Sequence, residues 1–167
     1  MKEFVKYFLS PTEFIVSEKP AQITTLLGSC VSVILWDTAT SIGGMNHYML
    51  PKVSDKTETT PKYGDVAIRA LITKMLSLGC RRETLKAKII GGAAGTAISA
   101  NYYEIGKRNA EIALQILTEE RIAVIAKDIG GARGRKVIFY TDTGLVYMKY
   151  LKYHGTEIES LTDKDHL

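Results

Sequence analysis

The 167-residue sequence has few of the residues that crosslink a chain or restrict its conformation. It contains two cysteines, four prolines and one tryptophan, and it has no CxxC or HxxxH pair. Two cysteines do not make a disulfide scaffold. A chain of this length buries roughly 70% of its unfolded surface, so its fold needs no disulfide or metal crosslink. The missing metal-ligand spacings argue against a zinc site. We therefore expect free thiols in a reducing compartment and no bound metal.

Long apolar runs are also missing. No segment approaches the run of about 18 apolar residues that a membrane span requires. The first residues, MKEFVKYFLSP, are interrupted by Lys6 before an apolar run reaches the length of a signal-peptide core. These absences argue against membrane insertion and secretion, and they predict a cytoplasmic protein.

The positive charge of the chain is mild and unevenly placed. The formal net charge is +4 and the sequence pI is near 9.0. Much of the excess lies between Arg121 and Lys152. Nucleic-acid binding is one interpretation of such a segment, but the interleaved aromatic platform of a stacking surface is missing. A solvated face, or a docking surface for an acidic protein partner, is the interpretation we favour.

Short apolar runs rich in β-branched and aromatic residues predict strands. These runs lie over residues 14–16, 23–27, 31–36, 41–47 and 88–90, with an exposed loop over 51–62. Helical periodicity predicts one helix from a cap at Asp65 to Gly79 and another over 107–119. The remainder, with strands over 122–125, 137–140 and 145–148, is typical of a β-meander. The pattern indicates a single α+β domain over residues 1–167, with a polar tail from about 153 that we expect to be frayed.

Cys30 and His47 are the two residues best placed for chemistry. Cys30 follows Gly28 and Ser29 at a junction of loop and strand, where free backbone N–H groups can hold an oxyanion. Gly28 would let a substrate carbonyl approach without a Cβ in the way. His47 ends another predicted strand, so its imidazole can reach the thiol if the two strands pair, and such a pair supports acyl transfer. A third group usually orients the imidazole, and the candidates are Thr24, Thr25 or a backbone carbonyl.

Each motif also has a structural interpretation. A cysteine that opens an apolar strand is more often packed in a core than catalytic. Cys80 lies beside Arg81 and Arg82, which would lower the pKa of its thiol, but no histidine is near it in sequence. The glycines of 91–95 lack the Lys-Ser/Thr pair of a phosphate loop, so we expect close backbone packing there. The run GGARGR at 130–135 is most simply a hairpin connection.

Several segments form an ordered set that extends from about Ser17 to Lys149. They are TTLLGSCVSV (24–33), GGMNHYMLP (43–51), YGD (63–65), AKIIGGA (87–93), IGKRN (105–109) and DIGGARGR (128–135). LGSC alone would carry little information, whereas the ordered set is specific. The set resembles the chemoreceptor glutamine deamidase family, CheD.

The resemblance implies a fold and a set of site residues. Family members are cysteine amidohydrolases whose catalytic residues are the cysteine of the GSC motif, the histidine of the H-x-M-L-P motif and a threonine six positions before the cysteine. On this sequence these are Cys30, His47 and Thr24, with Gly28 and Ser29 at the oxyanion and substrate approach. The family fold resembles that of bacterial toxin glutamine deamidases, a layered α/β sandwich with a central mixed β-sheet and outer helices.

The resemblance also implies a reaction and partners. Cys30 would attack a receptor glutamine and form a thioester that water cleaves, with His47 as acid and base and no metal or organic cofactor. The substrate would be the cytoplasmic helices of methyl-accepting chemotaxis receptors, with the phosphatase CheC as a further partner and no nucleic acid. A glutamate methyl ester gives the same thioester, so receptor methylesterase activity is a close variant. The alternative is a non-catalytic adaptor that binds receptors or CheC, whereas a papain-like peptidase would need a longer chain.

Overall fold

The computed structural model describes residues 2–94 and 100–152, with the side chains of 100–103 left out. Within these residues the chain forms strands and two helices. In chain order they are β1 (Val5–Phe8), β2 (Phe14–Ser17), β3 (Ala21–Leu27), β4 (Val31–Asp37), β5 (Gly43–Asn46), α1 (Gly64–Ser77), β6 (Leu85–Gly91), α2 (Ala100–Glu119), β7 (Ala123–Ile129), β8 (Arg135–Tyr140) and β9 (Val146–Tyr150). The predicted tail from about 153 lies outside the described residues.

The strands form two mixed sheets. The outer sheet has the order β1-β3-β8-β9, and the central sheet has the order β2-β5-β4-β6-β7. In each sheet one pair is parallel, β1 with β3 and β6 with β7, and the other pairs are antiparallel. The prediction of an α+β fold with a central mixed sheet is confirmed.

Strand alternation divides the apolar side chains between two cores. Ile23, Ile34 and Phe139 belong to the core between the two sheets. Val33, Leu35 and Ile89 face the other way, toward the two helices, in the second core. The layers are therefore outer sheet, central sheet and helices, so the helices cover only one face of the central sheet. Both faces of β4 are covered, which explains why six of its seven residues are buried.

The predicted β-meander is wrong in its first strand. β7 pairs in parallel with β6 in the central sheet, while β8 and β9 lie in the outer sheet. The helix α2 connects β6 to β7 as a crossover, as parallel strands require. The segment after Ile129 therefore passes from one sheet to the other and is not a hairpin turn. Periodicity alone does not distinguish these two topologies, because each strand is short and half-buried.

Three local expectations also need correction. β1 was not predicted, because all four of its residues are exposed at a sheet edge and give no alternating pattern. α2 begins at Ala100, seven residues before the predicted start. Asp65 is not the cap of α1: Tyr63 is, and the Asp65 carboxylate in the first turn accepts hydrogen bonds from the Val53 N–H, at 3.2 and 3.3 Å.

Candidate active site

The segments that carry Cys30 and His47 pair with one another. Cys30 immediately precedes β4, and His47 immediately follows β5. Val31 and Tyr48 form an antiparallel bridge with backbone N–H···O distances of 3.2 and 3.1 Å. In this register Cys30 is the diagonal neighbour of His47, a relationship with a Cα separation of about 7–8 Å that long side chains can bridge. Cys30 packs against the core between the two sheets. His47 lies on the same side of the central sheet, where it contacts Thr25 of the outer sheet.

The threonine in contact with His47 is Thr25. Its Oγ1 lies 2.8 Å from His47 Nδ1, and both residues are buried, with exposed fractions of 0% and 2%. Thr24, which the resemblance assigned to this role, is only half-buried, because neighbouring residues of β3 point to opposite faces of the sheet. The contact expected of Thr24 is therefore made by Thr25, and an orienting role for this threonine stays a prediction.

A short chain of hydrogen bonds determines the tautomer of His47. The Thr25 hydroxyl donates to the Leu9 carbonyl oxygen at 2.7 Å. A carbonyl can only accept, so the single Thr25 proton lies on that bond and Thr25 Oγ1 accepts a hydrogen bond from Nδ1–H of His47. Nε2 of the neutral imidazole is then unprotonated, and it is buried without a hydrogen-bond partner among the described residues. This nitrogen is the one that is free to accept a proton.

Burial favours the neutral forms of both groups. Desolvation lowers the pKa of His47 to about 4, against the opposing effects of the Leu9 carbonyl and the charge of Glu13. Burial also raises the pKa of the Cys30 thiol, and a hydrogen bond from its own backbone opposes the shift. At neutral pH the resting pair is therefore thiol and imidazole rather than thiolate and imidazolium. His47 is consequently suited to act as a general base during the reaction.

The Cys30 segment rests on a glycine-rich strand end. The N–H of Gly92 donates to the Cys30 carbonyl at 2.9 Å, and the N–H of Ala93 donates to the Gly28 carbonyl at 2.9 Å. Gly91 has φ +119°, and a Cβ there would lie 2.2 Å from the Cys30 oxygen. The close backbone packing expected of the glycines is therefore present at 91–92, while 95 and 96 lie outside the described residues.

The approach to Cys30 is open at Gly28. A Cβ built on Gly28 would meet no heavy atom within 4 Å, so the space beside the thiol segment is clear. The N–H groups of Ser29 and Cys30 donate to no other residue in the described ranges. This arrangement is what an oxyanion site before substrate binding requires.

Asn109 is a site residue for which the sequence indicated no role. It lies in α2, is 0% exposed, and donates from Nδ2 to the carbonyl oxygens of Ser29 and Met49, each at 2.9 Å. The signal was present in the sequence, since Asn109 interrupts the apolar stripe formed by Ile105, Ile112 and Ile116. A polar residue in such a stripe needs buried hydrogen-bond partners.

Cys80 is not part of this site. It is buried, its Sγ lies 3.8 Å from the Thr40 hydroxyl oxygen, and burial raises the pKa of its thiol. Arg82 instead pairs with Glu120 at 2.8 Å. The expectation that the neighbouring arginines would lower the pKa of Cys80 is therefore wrong. Across residues 2–94 and the described side chains of α2 and beyond, no cluster of three or more metal-ligating side chains occurs.

The basic residues between 121 and 152 do not form one face. Arg135 is 2% exposed and its guanidinium lies 2.6 Å from the Asp128 carboxylate. Lys149 is 8% exposed, and β7 belongs to a different sheet from β8 and β9. The predicted basic docking surface is therefore divided between two sheets, with two of its cations buried.

The loop at 51–62 is closed at its base. The N–H groups of Met49 and Leu50 both donate to the Lys62 carbonyl, at 2.9 and 3.1 Å. Most residues of the loop are exposed, as expected. These hydrogen bonds fix the end of the loop at Lys62 beside the two residues that follow Tyr48.

Comparison with known proteins agrees with the resemblance. The family described as "CheD chemotactic sensory transduction" matches residues 49–150. A protein of Trichlorobacter lovleyi named probable chemoreceptor glutamine deamidase CheD is 48% identical over 86% of this chain and 89% of its own. One of the same name from Sulfurimonas denitrificans is 41% identical over 90% of this chain and 97% of its own. A solved structure, Neisseria meningitidis protein NMB0706 (DUF152), gives a TM-score of 0.40 at 10% identity, covering 77% of this chain and 63% of that chain.

The described residues include no helix that is both long enough and apolar enough to cross a membrane.

The alignments to these two relatives span most of this chain and most of each relative, so they include most of the fold described above. The family match and the identities to these relatives show that the chain belongs to the CheD family.

Proposed function

We propose that this protein deamidates glutamine side chains of chemoreceptors, with Cys30 as nucleophile and His47 as general base and acid. The observation that carries the proposal is the state of His47, the diagonal neighbour of Cys30: its Nδ1 is held by Thr25, and its Nε2 has no hydrogen-bond partner among the described residues. The names of the relatives, probable chemoreceptor glutamine deamidases, point to the same substrate.

The first half of the reaction transfers the acyl group to sulfur. Cys30 Sγ attacks the carboxamide carbon, and the thiol proton passes to His47 Nε2. The N–H groups of Ser29 and Cys30 hold the oxyanion, an effect worth about 10²–10³ in rate for one donor. The imidazolium then gives its proton to the departing nitrogen, the C–N bond breaks, and ammonia leaves with a γ-glutamyl thioester on Cys30.

The second half releases glutamate. His47, neutral again, takes a proton from water while the water oxygen attacks the thioester carbon. The C–S bond breaks, the proton returns from His47 to sulfur, and the product carboxylic acid departs and releases its remaining proton to solvent. General acid–base help of this kind contributes about 10²–10⁴ in rate. The Thr25 hydroxyl and the Leu9 carbonyl stabilise the transient imidazolium, because both place partial negative charge toward Nδ1–H.

The product changes the charge of the receptor. Each conversion places one carboxylate where a neutral amide stood, and added charge on a helix shifts the balance between signalling states. This is the sense in which the reaction would adjust chemotaxis adaptation. CheC is a proposed partner on the basis of family resemblance alone.

Receptor methylesterase activity is a further proposal, because a glutamate methyl ester leads to the same thioester with methanol as leaving group. The competing hypothesis is an adaptor that binds receptors or CheC without turnover. Both can be separated from deamidation by the released product.

The test uses the full chain and a cytoplasmic fragment of a receptor. Ammonia and methanol are measured over time, and peptide mass spectrometry locates any Gln-to-Glu change. We expect ammonia release and a mass increase at particular glutamines with wild type, and neither with Cys30→Ala. Receptor binding without release of either product would favour the adaptor.

A further inference from the structure

The Asn109 amide joins the two segments that carry the site. Its Nδ2 donates one hydrogen bond to the Ser29 carbonyl and one to the Met49 carbonyl, each at 2.9 Å. An asparagine amide has two N–H donors, so both are used. The backbone carbonyl of Asn109 in turn accepts a hydrogen bond from the Tyr48 hydroxyl. One residue of α2 therefore holds the residue before Cys30 and the two residues after His47.

The bond to Ser29 has a directional consequence. The Ser29 carbonyl and the Cys30 N–H belong to one planar trans peptide, in which the two groups point in opposite directions. Holding the carbonyl toward Asn109 therefore turns the Cys30 N–H away from α2. The Gly28 carbonyl, held by Ala93, acts in the same way on the Ser29 N–H. The two proposed oxyanion donors are thus aimed by two different anchors.

We infer that Asn109 is a positioning residue for the deamidation proposed above, aiming the Cys30 N–H at the oxyanion and fixing the spacing between the Cys30 and His47 segments. The inference rests on that proposed function. Asn109 touches neither substrate nor the reacting atoms, so its effect passes through the Ser29–Cys30 peptide. Its rigidity comes from α2, where Ile112, Ala113 and Ile116 are buried against the helix-side core.

The test compares turnover with a reaction that needs no oxyanion. Asn109→Ala is assayed for kcat and KM on the receptor fragment, and for the rate at which iodoacetamide alkylates Cys30. Alkylation is a displacement at carbon and develops no oxyanion. We expect kcat to fall about 10- to 100-fold with KM changed less than about 3-fold, because misaiming one donor removes part of the effect of an oxyanion donor. The alkylation rate should stay within about 3-fold of wild type.

Thr141→Val is the matched control for loss of a buried hydrogen bond. Thr141 is 0% exposed and its hydroxyl oxygen accepts a hydrogen bond from the Ala21 N–H, at the end of β3 that is remote from Cys30. It should lose stability with kcat unchanged. If Asn109→Ala does not fold, Asn109→Ser keeps one donor in a smaller volume and should show an intermediate kcat.

Three outcomes would contradict the inference or its basis. A folded Asn109→Ala with wild-type kcat would overturn the inference and leave the proposed function intact. Equal losses in kcat and alkylation would also overturn it, since they would indicate general disorder of the Cys30 segment. Wild-type protein that releases no ammonia from the receptor would overturn the proposed function itself, and the inference with it.

Discussion

Thr25 Oγ1 lies 2.8 Å from His47 Nδ1, while the Thr25 hydroxyl donates its own proton to the Leu9 carbonyl oxygen, 2.7 Å away. A single hydroxyl of the outer sheet thus determines which nitrogen of a central-sheet histidine is free. The contact crosses between the two sheets, so the imidazole is oriented by the packing of the sandwich itself.

Thr25→Val should slow deamidation. Valine keeps the shape and strand propensity of threonine but removes the acceptor for Nδ1–H, so the imidazole can take the wrong tautomer. We expect kcat to fall about 10- to 100-fold, less than the loss of about 10⁴ seen when a buried carboxylate partner is removed. Thr24→Val is the matched control, because Thr24 lies on the other face of the same strand. A larger loss from the Thr24 variant would return the role to that residue.

The alkylation of Cys30 should report a poorly ionised thiol. Because burial raises the pKa of Cys30 above 9.0, the iodoacetamide rate should still be rising at pH 9.0. Mass spectrometry of a Cys80→Ala variant isolates the signal from the other free thiol. A plateau reached below pH 7 would instead indicate a resting thiolate–imidazolium pair.

His47 should make the protein less stable in acid. Its folded pKa is about 4 and its reference value is 6.5, so the unfolded chain binds the proton first as the pH falls. His47 contributes no pH dependence above pH 6.5, and stability is lost progressively down to about pH 4. The loss is on the order of 3 kcal/mol. Urea unfolding of wild type and His47→Gln at several pH values measures it, as the variant should lack this component. Parallel pH profiles of the two proteins would contradict the assignment.

Gly91→Ala should damage both stability and turnover. The new Cβ would lie 2.2 Å from the Cys30 carbonyl oxygen, at a position with φ +119°. We expect destabilisation of more than about 1 kcal/mol from the backbone conformation alone, with the collision in addition. Gly79→Ala is the control, since Gly79 also has a positive φ, +92°, but open space around it. Turnover should fall only in the Gly91 variant, and equal behaviour of the two would show that the contact with Cys30 does not matter.

Much of this architecture was predictable from local pattern. The β-branched runs located β3 and β4, and the positions of Cys30 and His47 at strand ends suggested that they meet. The sequence could not predict whether Thr24 or Thr25 contacts His47. That choice depends on which face of β3 turns toward the central sheet, and residues one position apart lie on opposite faces. The placement of β7 was beyond reach as well, since it depends on the pairing of β6 with a strand that follows it by a whole helix.

Asn109 illustrates a different limit. Its place in an apolar stripe shows that it is buried, but its two acceptors come from Ser29 and Met49, which are distant in sequence. Backbone carbonyls carry no sequence signature, so a residue that binds only main chain leaves no pattern in its partners.

The hydrogen-bond chain from His47 ends on an atom that no side-chain substitution removes. The Leu9 oxygen belongs to the backbone, and the segment after β1 is held against β3 by the Leu9 N–H, which donates to the Thr24 carbonyl at 2.8 Å. The side chain at residue 9 can therefore change, within the limits of packing, without removing the hydrogen bonds from His47 through Thr25 to the backbone oxygen. An insertion directly after β1, or a deletion within it, would slide the oxygen away from Thr25, so chain length here is under tighter constraint than residue identity.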